Sequence, residues 1–374
     1  MIKNRILKMA KEKFNVQRIP KDGEDKSVYG FPGLWDDGAI RQAVQEAEGN
    51  MPNFQLSKVE FHPSGYCNLK CPFCYGEKLA SDRRSMLPES AVRNVLGDIR
   101  ENFPGENPLI VVAGLYSEPF THPEITEIIK DAGENHYRLG LYTNGLLMGI
   151  EEMDVLIECA SKAEAEKPSY ISFNVNASLS ANCFRRGLIP RISKLSEKRK
   201  GLENKIQINT PILATKGYDC YDALKNIVEP LVYAGVDKIR LSLPWEKHSV
   251  DGNARNFRED NTALQTFKDL KEEYPGKVII RCPKVIPAAN KCYVISMTAS
   301  ISSEGDVYPC QELTSLKFKE RFSYGNVLSQ RFSDIWQSQR HKDLFEKINP
   351  KENGCSCCPV HGKFNDVCCK LKEN

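Results

Sequence analysis

The stretch 55–75, QLSKVEFHPSGYCNLKCPFCY, runs from an extended apolar segment straight into a loop that carries three cysteines. Residues 55–62 read as a strand, and Pro63, Ser64 and Gly65 break it. Cys67, Cys71 and Cys74 follow at once, spaced C-x3-C-x2-C. In folds built from parallel strands and outer helices, chemistry gathers at the C-terminal ends of the strands. A thiol-rich loop directly after a strand fits that placement.

Working outward, the same texture recurs. Strands are expected at 55–62, 109–113, 137–142, 170–175, 205–213 and 238–243, and helices at 90–102, 123–134, 151–162, 221–234 and 262–273. Roughly six βα units in order predict an α/β fold with a parallel sheet. A partial (β/α)6 TIM-like barrel and an open doubly wound sheet share this pattern, which alone does not choose between them. After about residue 276 the alternation stops and cysteines become frequent. The expected division is a helical N-terminal extension over 1–54, a barrel over 55–275 and a small cysteine-rich α+β domain over 276–374.

Composition limits the function. The chain has 374 residues, 41% of them hydrophobic and 27% charged, with a net charge of +3. That balance is ordinary for a soluble globular protein and too weakly basic to suggest nucleic acid. No apolar run approaches a membrane span, and the basic start lacks the apolar core of a signal peptide. A cytoplasmic location is therefore expected. In a reducing compartment, fourteen cysteines are poorly explained by disulfides. They cluster instead: three at 67–74, eight between 282 and 369, and only Cys159, Cys183 and Cys220 between. Such clusters suggest metal or iron–sulfur ligation.

Three thiolates on a short loop can hold three irons of a [4Fe–4S] cube and leave the fourth open, whereas a structural zinc site closes with four ligands. With Phe73 before the last cysteine, the loop resembles the signature of the radical S-adenosylmethionine (radical SAM) superfamily. The plain alternative is a zinc or electron-transfer site. The resemblance implies a [4Fe–4S] cluster whose open iron is chelated by S-adenosylmethionine. An electron from the cluster then splits the cofactor to a 5′-deoxyadenosyl radical, which takes a substrate hydrogen.

Further segments resemble the family's cofactor contacts. Tyr116–Ser117–Glu118–Pro119 resembles Gly-Gly-Glu-Pro, with Tyr116 and Ser117 in place of the glycines, and implies that Glu118 meets the methionine ammonium. Thr143–Asn144–Gly145 ends the third strand, as a like tripeptide does in the family. Asn174 and Asn176, on one face of the fourth strand by its period of two, stand where the family has Ser-x-Asp-Gly. Arg185 or Arg186 is a candidate partner for the methionine carboxylate.

The C-terminal field resembles the SPASM extension, or its shorter relative the twitch domain, which carries auxiliary [4Fe–4S] clusters. Twelve residues separate Cys292 from Gly305 and four separate Gly305 from Cys310. Gly305 suits a hairpin turn. Tyr324–Gly325–Asn326–Val327 and the helix around Phe332, Ile335 and Trp336 also fit. The resemblance implies at least one auxiliary cluster on Cys292 and Cys310, completed by Cys282 and Cys368; the tail leaves open one cluster or two, the second using Cys355 and Cys358 with Cys357 or Cys369. The family's third tail cysteine falls on Phe364. A zinc knuckle of Cys355, Cys357, Cys358 and His361 is the alternative there. Cys159 reads as core. Cys183 and Cys220 are candidate hydrogen-atom donors to a substrate radical.

The expected activity is modification of a ribosomally made peptide by crosslinking, oxidation or epimerisation, supplied with electrons by a flavodoxin- or ferredoxin-like reductant. Oxidation or epimerisation of a small alcohol or sugar is the second reading, and a non-catalytic iron–sulfur carrier the third.

Overall fold

The computed structural model describes residues 56–71, 74, 85–114, 117–165, 167–176, 183–214, 220–243, 261–281, 291–314 and 319–349. They belong to two compact units. One comprises Phe54–Pro283 and Val294–Lys347; the other comprises Met1–Asn53, Lys284–Tyr293 and Ile348–Asn374. In the second unit only 291–293 and 348–349 are described. The expected helical extension over 1–54 and the tail cysteines lie outside the described residues.

Seven strands of the larger unit run parallel in chain order: β1 (Lys58–Phe61), β2 (Leu109–Val112), β3 (Leu139–Thr143), β4 (Ser169–Phe173), β6 (Ile206–Leu213), β7 (Lys238–Ser242) and β8 (Val278–Ile280). A two-residue strand, β5 (Val175–Asn176), pairs with β6 alone. Six helices alternate with them: α1 (Glu89–Asn102), α2 (Ile125–Glu134), α3 (Ile150–Lys162), α4 (Ile189–Lys198), α5 (Tyr221–Tyr233) and α6 (Asn261–Glu273). The order of the strands decides between the two architectures left open by pattern. A doubly wound sheet reverses strand order at a switch point, and these seven strands follow one another without a reversal. The fold is the partial (β/α)6 barrel.

Strands covered on both faces read as unbroken apolar runs, as in β2, whose four residues LIVV are all buried. β1 alternates instead. Val59 and Phe61 are fully buried, while Lys58, Glu60 and His62 form a polar row on the other face. The helices supply the outer layer through amphipathic faces: Val92, Val95, Leu96 and Ile99 of α1, and Ile125, Ile128 and Ile129 of α2. Each such side chain contributes about 1.5–3 kcal/mol by leaving water.

Past residue 293 the chain returns to the same sheet. β9 (Thr298–Ile301) pairs in parallel with β1, and β10 (Asp306–Tyr308) and β11 (Gly325–Asn326) follow antiparallel. Gly305 makes the expected hairpin turn with φ +83°, a backbone region that disfavours any Cβ. Helix α7 (Phe332–Trp336) buries Phe332, Ile335 and Trp336. Its docking on α1 depends on Asp98, a buried carboxylate that takes the Ser333 amide at 2.5 Å and two Arg331 nitrogens at 2.6 and 2.9 Å. No helix among the described residues is long and apolar enough to cross a membrane.

α4 and β8 were missed by pattern. α4 is preceded by a six-residue π-helical turn, Cys183–Leu188, so its start is not marked by a turn or cap in the sequence. β8 is only three residues long.

Candidate functional site

The cysteine loop leaves the C-terminal end of β1 as expected, and the ends of β2 and β3 hold it. The Glu118 amide donates to the Tyr66 carbonyl at 2.8 Å, and the Thr121 hydroxyl reaches the same oxygen at 3.1 Å. Within the loop, the Cys74 amide donates to the Cys71 carbonyl, and the Leu69 amide points at the Cys67 sulfur at 3.4 Å. Asn68, next to the first cysteine, accepts at 2.8 Å from the Asn144 amide group at the end of β3.

Glu118 joins these elements. It is 2% exposed. One carboxylate oxygen accepts from the Thr143 hydroxyl at 2.5 Å and the Phe120 amide at 3.2 Å, and the other accepts from the Asn144 amide at 2.7 Å. Burial pushes its carboxyl above the usual range, although these three donors pull the other way. Just before Glu118, Gly114 makes a close approach, since a Cβ there would lie 2.0 Å from the Ser117 carbonyl oxygen.

Cys67, Cys71 and Cys74 are all half-buried thiols. Burial pushes the Cys67 thiol up to about 11, and Glu118, Cys71 and Cys74 add to the rise. Like-charged ligands that disfavour one another's ionisation are stabilised by a cation placed among them. Among the described residues no three donor side chains yet form a closed cage. The loop offers three thiols within electrostatic reach of one another, and that donor set suits an iron–sulfur cluster.

Segment 61–186 matches the family model of the radical SAM superfamily, and segment 292–359 matches that of an iron–sulfur cluster-binding domain, SPASM. This chain is a radical SAM protein. The first match contains the cysteine triplet, Glu118, Asn144, Asn174 and Arg185. The second begins at Cys292 and takes in Cys310, Cys355 and Cys358, while Cys282 and Cys368 fall outside it. Radical SAM domains bind a [4Fe–4S] cluster together with S-adenosylmethionine, and SPASM domains bind auxiliary iron–sulfur clusters. A curated relative, the tungsten-containing aldehyde ferredoxin oxidoreductase cofactor-modifying protein of Pyrococcus furiosus, is 24% identical over 289 residues, covering 74% of this chain and 79% of that one. Among solved structures, SuiB of Streptococcus suis bound to its precursor peptide SuiA aligns with 96% of this chain and 82% of its own at a TM-score of 0.58 and 14% identity. SuiB bound to S-adenosylmethionine aligns at 0.57. At that identity the likeness is one of fold.

The remaining candidates are scattered. Asn174 is exposed after β4, and its amide donates to the Thr143 carbonyl at 2.7 Å. Arg185 and Arg186 are exposed on the π-helical turn that Cys183 opens. Cys183 and Cys220 are both exposed, Cys220 just before α5. Cys159 is core, with its thiol pushed up to about 11 by burial. Cys310 is half-buried just after β10. Phe73, Tyr116, the Asn176 side chain, Cys282, Cys355, Cys358 and Cys368 lie outside the described residues. Sequence reasoning missed the Asn68–Asn144 bond, because side-chain amides carry no periodic signal. It also missed the polar inner face of β4, β6 and β7, hidden in strands that read as apolar.

When bound, the cluster supplies the electron that splits S-adenosylmethionine. This chain's own contribution is orientation. Tyr66, Asn68, Glu118, Thr121 and Asn144 fix the cysteine loop against the ends of β2 and β3, so the thiols are held by strand ends rather than by a free loop.

Proposed function

We propose that this protein reductively cleaves S-adenosylmethionine at a cluster held by Cys67, Cys71 and Cys74, and uses the resulting radical to modify a substrate lodged in the barrel. The placement of that triplet at the end of β1, tied to β3 through Asn68 and Glu118, carries this reading. The preferred substrate is a ribosomally made peptide, a reading supported by the whole-chain fold likeness to SuiB, which was solved with its precursor peptide. A small-molecule substrate is the second reading. The 24% identical relative, named for modifying an oxidoreductase's cofactor, favours it. A flavodoxin- or ferredoxin-like protein would deliver the electron.

Replacing Cys67, Cys71 and Cys74 together by Ala should abolish 5′-deoxyadenosine formation under dithionite. Iron should fall by about four per chain, from about eight or twelve in the reconstituted wild type, since each cubane carries four. Undiminished 5′-deoxyadenosine would refute the assignment. Deuterated cell extract, split by size, then separates the substrates: deuterium should enter 5′-deoxyadenosine from the peptide fraction on the first reading and from the fraction below about 1 kDa on the second.

The auxiliary cluster is assigned the electron left on the substrate, with Cys292 and Cys310 among its ligands. A Cys310→Ala protein should still form some 5′-deoxyadenosine while losing product, because an iron is exposed without the first site being touched. Full product yield from a variant lacking its auxiliary iron would make that cluster structural only.

A further inference from the structure

The inner face of the barrel carries polar atoms that the fold does not use. Ser172 of β4 and Asn209 of β6 are register partners, so their side chains leave the same face of the sheet, roughly 4.8 Å apart. Tyr142 of β3 is the next partner in that row. Ser172 is fully buried and Asn209 is 5% exposed. The Ser172 hydroxyl and both polar atoms of the Asn209 amide have no hydrogen-bond partner. Buried polar atoms are paired almost without exception in folded proteins, and each one left unpaired costs about 1–3 kcal/mol. Three on two adjacent residues mark a place built for something else.

Arg240 of β7 lies on the same face, one side-chain repeat further along the strand than Lys238, the residue in register with Asn209. That face is the interior. The charges of both Glu60 on β1 and Arg240 on β7 act on the Tyr142 phenol, although β1, β3 and β7 are not neighbours in the sheet. Nε and Nη1 of the Arg240 guanidinium are shut off from solvent. Arg281, at the end of β8, is close enough for its like charge to act on Arg240. Together with burial, which is the larger cause, it pushes that guanidinium down to about 9.

Every member of the row can donate, although the Tyr142 hydroxyl is also bonded to that of Tyr170 at 3.2 Å. A guanidinium only donates, Ser and Tyr hydroxyls donate readily, and an Asn amide offers two donors against one acceptor. A planar guanidinium flanked by neutral donors matches a group with two or three acceptor oxygens and a negative charge. We propose that Arg240, with Arg281 beside it and the Ser172 and Asn209 side chains on the neighbouring strands, receives an oxyanion group of the substrate, a carboxylate or a phosphate. The inference rests on the reading that the barrel interior takes the substrate. It holds for an acidic side chain of a peptide and for an anionic small molecule alike.

The test uses full-length protein, reconstituted with its clusters and saturated with S-adenosylmethionine so that the cofactor's own carboxylate site is filled. Thermal unfolding is followed against glutarate and, separately, inorganic phosphate, with chloride holding ionic strength constant. The wild type should show a saturable rise in midpoint with at least one probe. Glutarate alone identifies a carboxylate receptor and phosphate alone a phosphate receptor. Arg240→Gln should weaken the response at least about tenfold, as expected for loss of a charge-assisted contact. Should that variant not fold, Asn209→Asp keeps the shape and turns a donor to the ligand into a carboxylate that repels it and faces the Arg240 charge from within the protein. It should unfold at a higher temperature than wild type without any probe and respond to neither. No saturable response in the wild type, or an unchanged one in Asn209→Asp, overturns the proposal. So does a response that appears only when S-adenosylmethionine is left out, because the site is then the cofactor's. 5′-Deoxyadenosine is measured on the same samples. A wild type that cleaves S-adenosylmethionine yet ignores both anions refutes the receptor and leaves the radical SAM reading standing.

Discussion

The ends of β1 to β3 and the inner row across β4 to β7 are both polar and buried, yet they are finished to different degrees. At the strand ends, both oxygens of Glu118 accept, and the Asn144 side chain uses its oxygen on the Leu146 amide and its nitrogen on Asn68. In the inner row, Ser172 and Asn209 hold polar atoms that the fold leaves unpartnered. Paired buried groups fix a geometry, whereas unpaired ones carry a cost that a ligand can remove. The difference separates a part of the barrel whose polar groups hold one another in place from a part whose polar groups are left to a ligand, which is the substrate on the reading proposed above.

The most severe way to break this contrast is to remove the carboxylate on which the first region converges. Glu118→Ala leaves the Asn144 and Phe120 amides and the Thr143 hydroxyl buried without their acceptor. Stability should fall by about 2–5 kcal/mol, at roughly 1–3 kcal/mol for each buried donor with partial relaxation. The rate of 5′-deoxyadenosine formation should drop roughly 10–100-fold, the usual effect of removing a group that orients metal ligands. Denaturant unfolding and a single-turnover assay measure the two. Glu118→Gln, which keeps the shape and two acceptor lone pairs, should fall between. Wild-type cleavage by Glu118→Ala would make this carboxylate irrelevant to the cluster loop.

The Asn68–Asn144 bond tests the same region more gently. Each single Ala variant should slow cleavage by about 3–10-fold, and the double variant should be little worse than either single one. A coupling of about 0.5–1.5 kcal/mol follows from one partly buried hydrogen bond. Iron content should not change. The paramagnetic resonance line shape of the reduced cluster with S-adenosylmethionine should shift, a response that a merely stabilising contact would not give. Strictly additive singles with an unaltered line shape would detach Asn68 from the positioning of the cluster.

Legibility in the sequence follows the same division. Cysteines at fixed spacing are few and chemically distinct, so the triplet could be found and its place after a strand stated. Six βα units could be counted because their strands carry runs such as LIVV at 109–112 and their helices have apolar faces. The barrel itself could not be read, since strand order is a matter of long-range pairing; the parallel pairing of β9 with β1 spans about 240 residues of chain. Glu118 was legible as a motif residue, but the expected contact with an ammonium gave no hint of its bonds to β3. Ser172, Asn209 and Arg240 were the least legible. Each alternates with an isoleucine, phenylalanine or leucine in a strand, and such alternation reports two faces without saying that one lines an interior. The docking of α7 on α1 through Asp98 was equally hidden, because one aspartate in an amphipathic helix looks like any solvated residue.

The mildest test of the comparison sets one hydroxyl against another. Thr143 and Ser172 are both buried, on neighbouring strands, at 1% and 0% exposure. The Thr143 oxygen donates to Glu118 and accepts from the Gly145 amide at 2.9 Å; the Ser172 oxygen has no partner. Thr143→Val keeps the volume and removes both bonds, leaving a buried amide without an acceptor, so it should cost about 1–3 kcal/mol. Ser172→Ala removes an oxygen that no protein group satisfies. Its removal gives back a desolvation cost and leaves a gap of a single atom, so the two effects should nearly cancel. The expected change is within about 0.5 kcal/mol, with the sign toward stabilisation. Urea unfolding of the substrate-free chain measures both variants on one scale. A loss of 1 kcal/mol or more in Ser172→Ala would mean that its hydroxyl is engaged by a bound water or a protein group. The inner row would then be a finished part of the fold, as the strand ends are, and the contrast between the two regions would disappear.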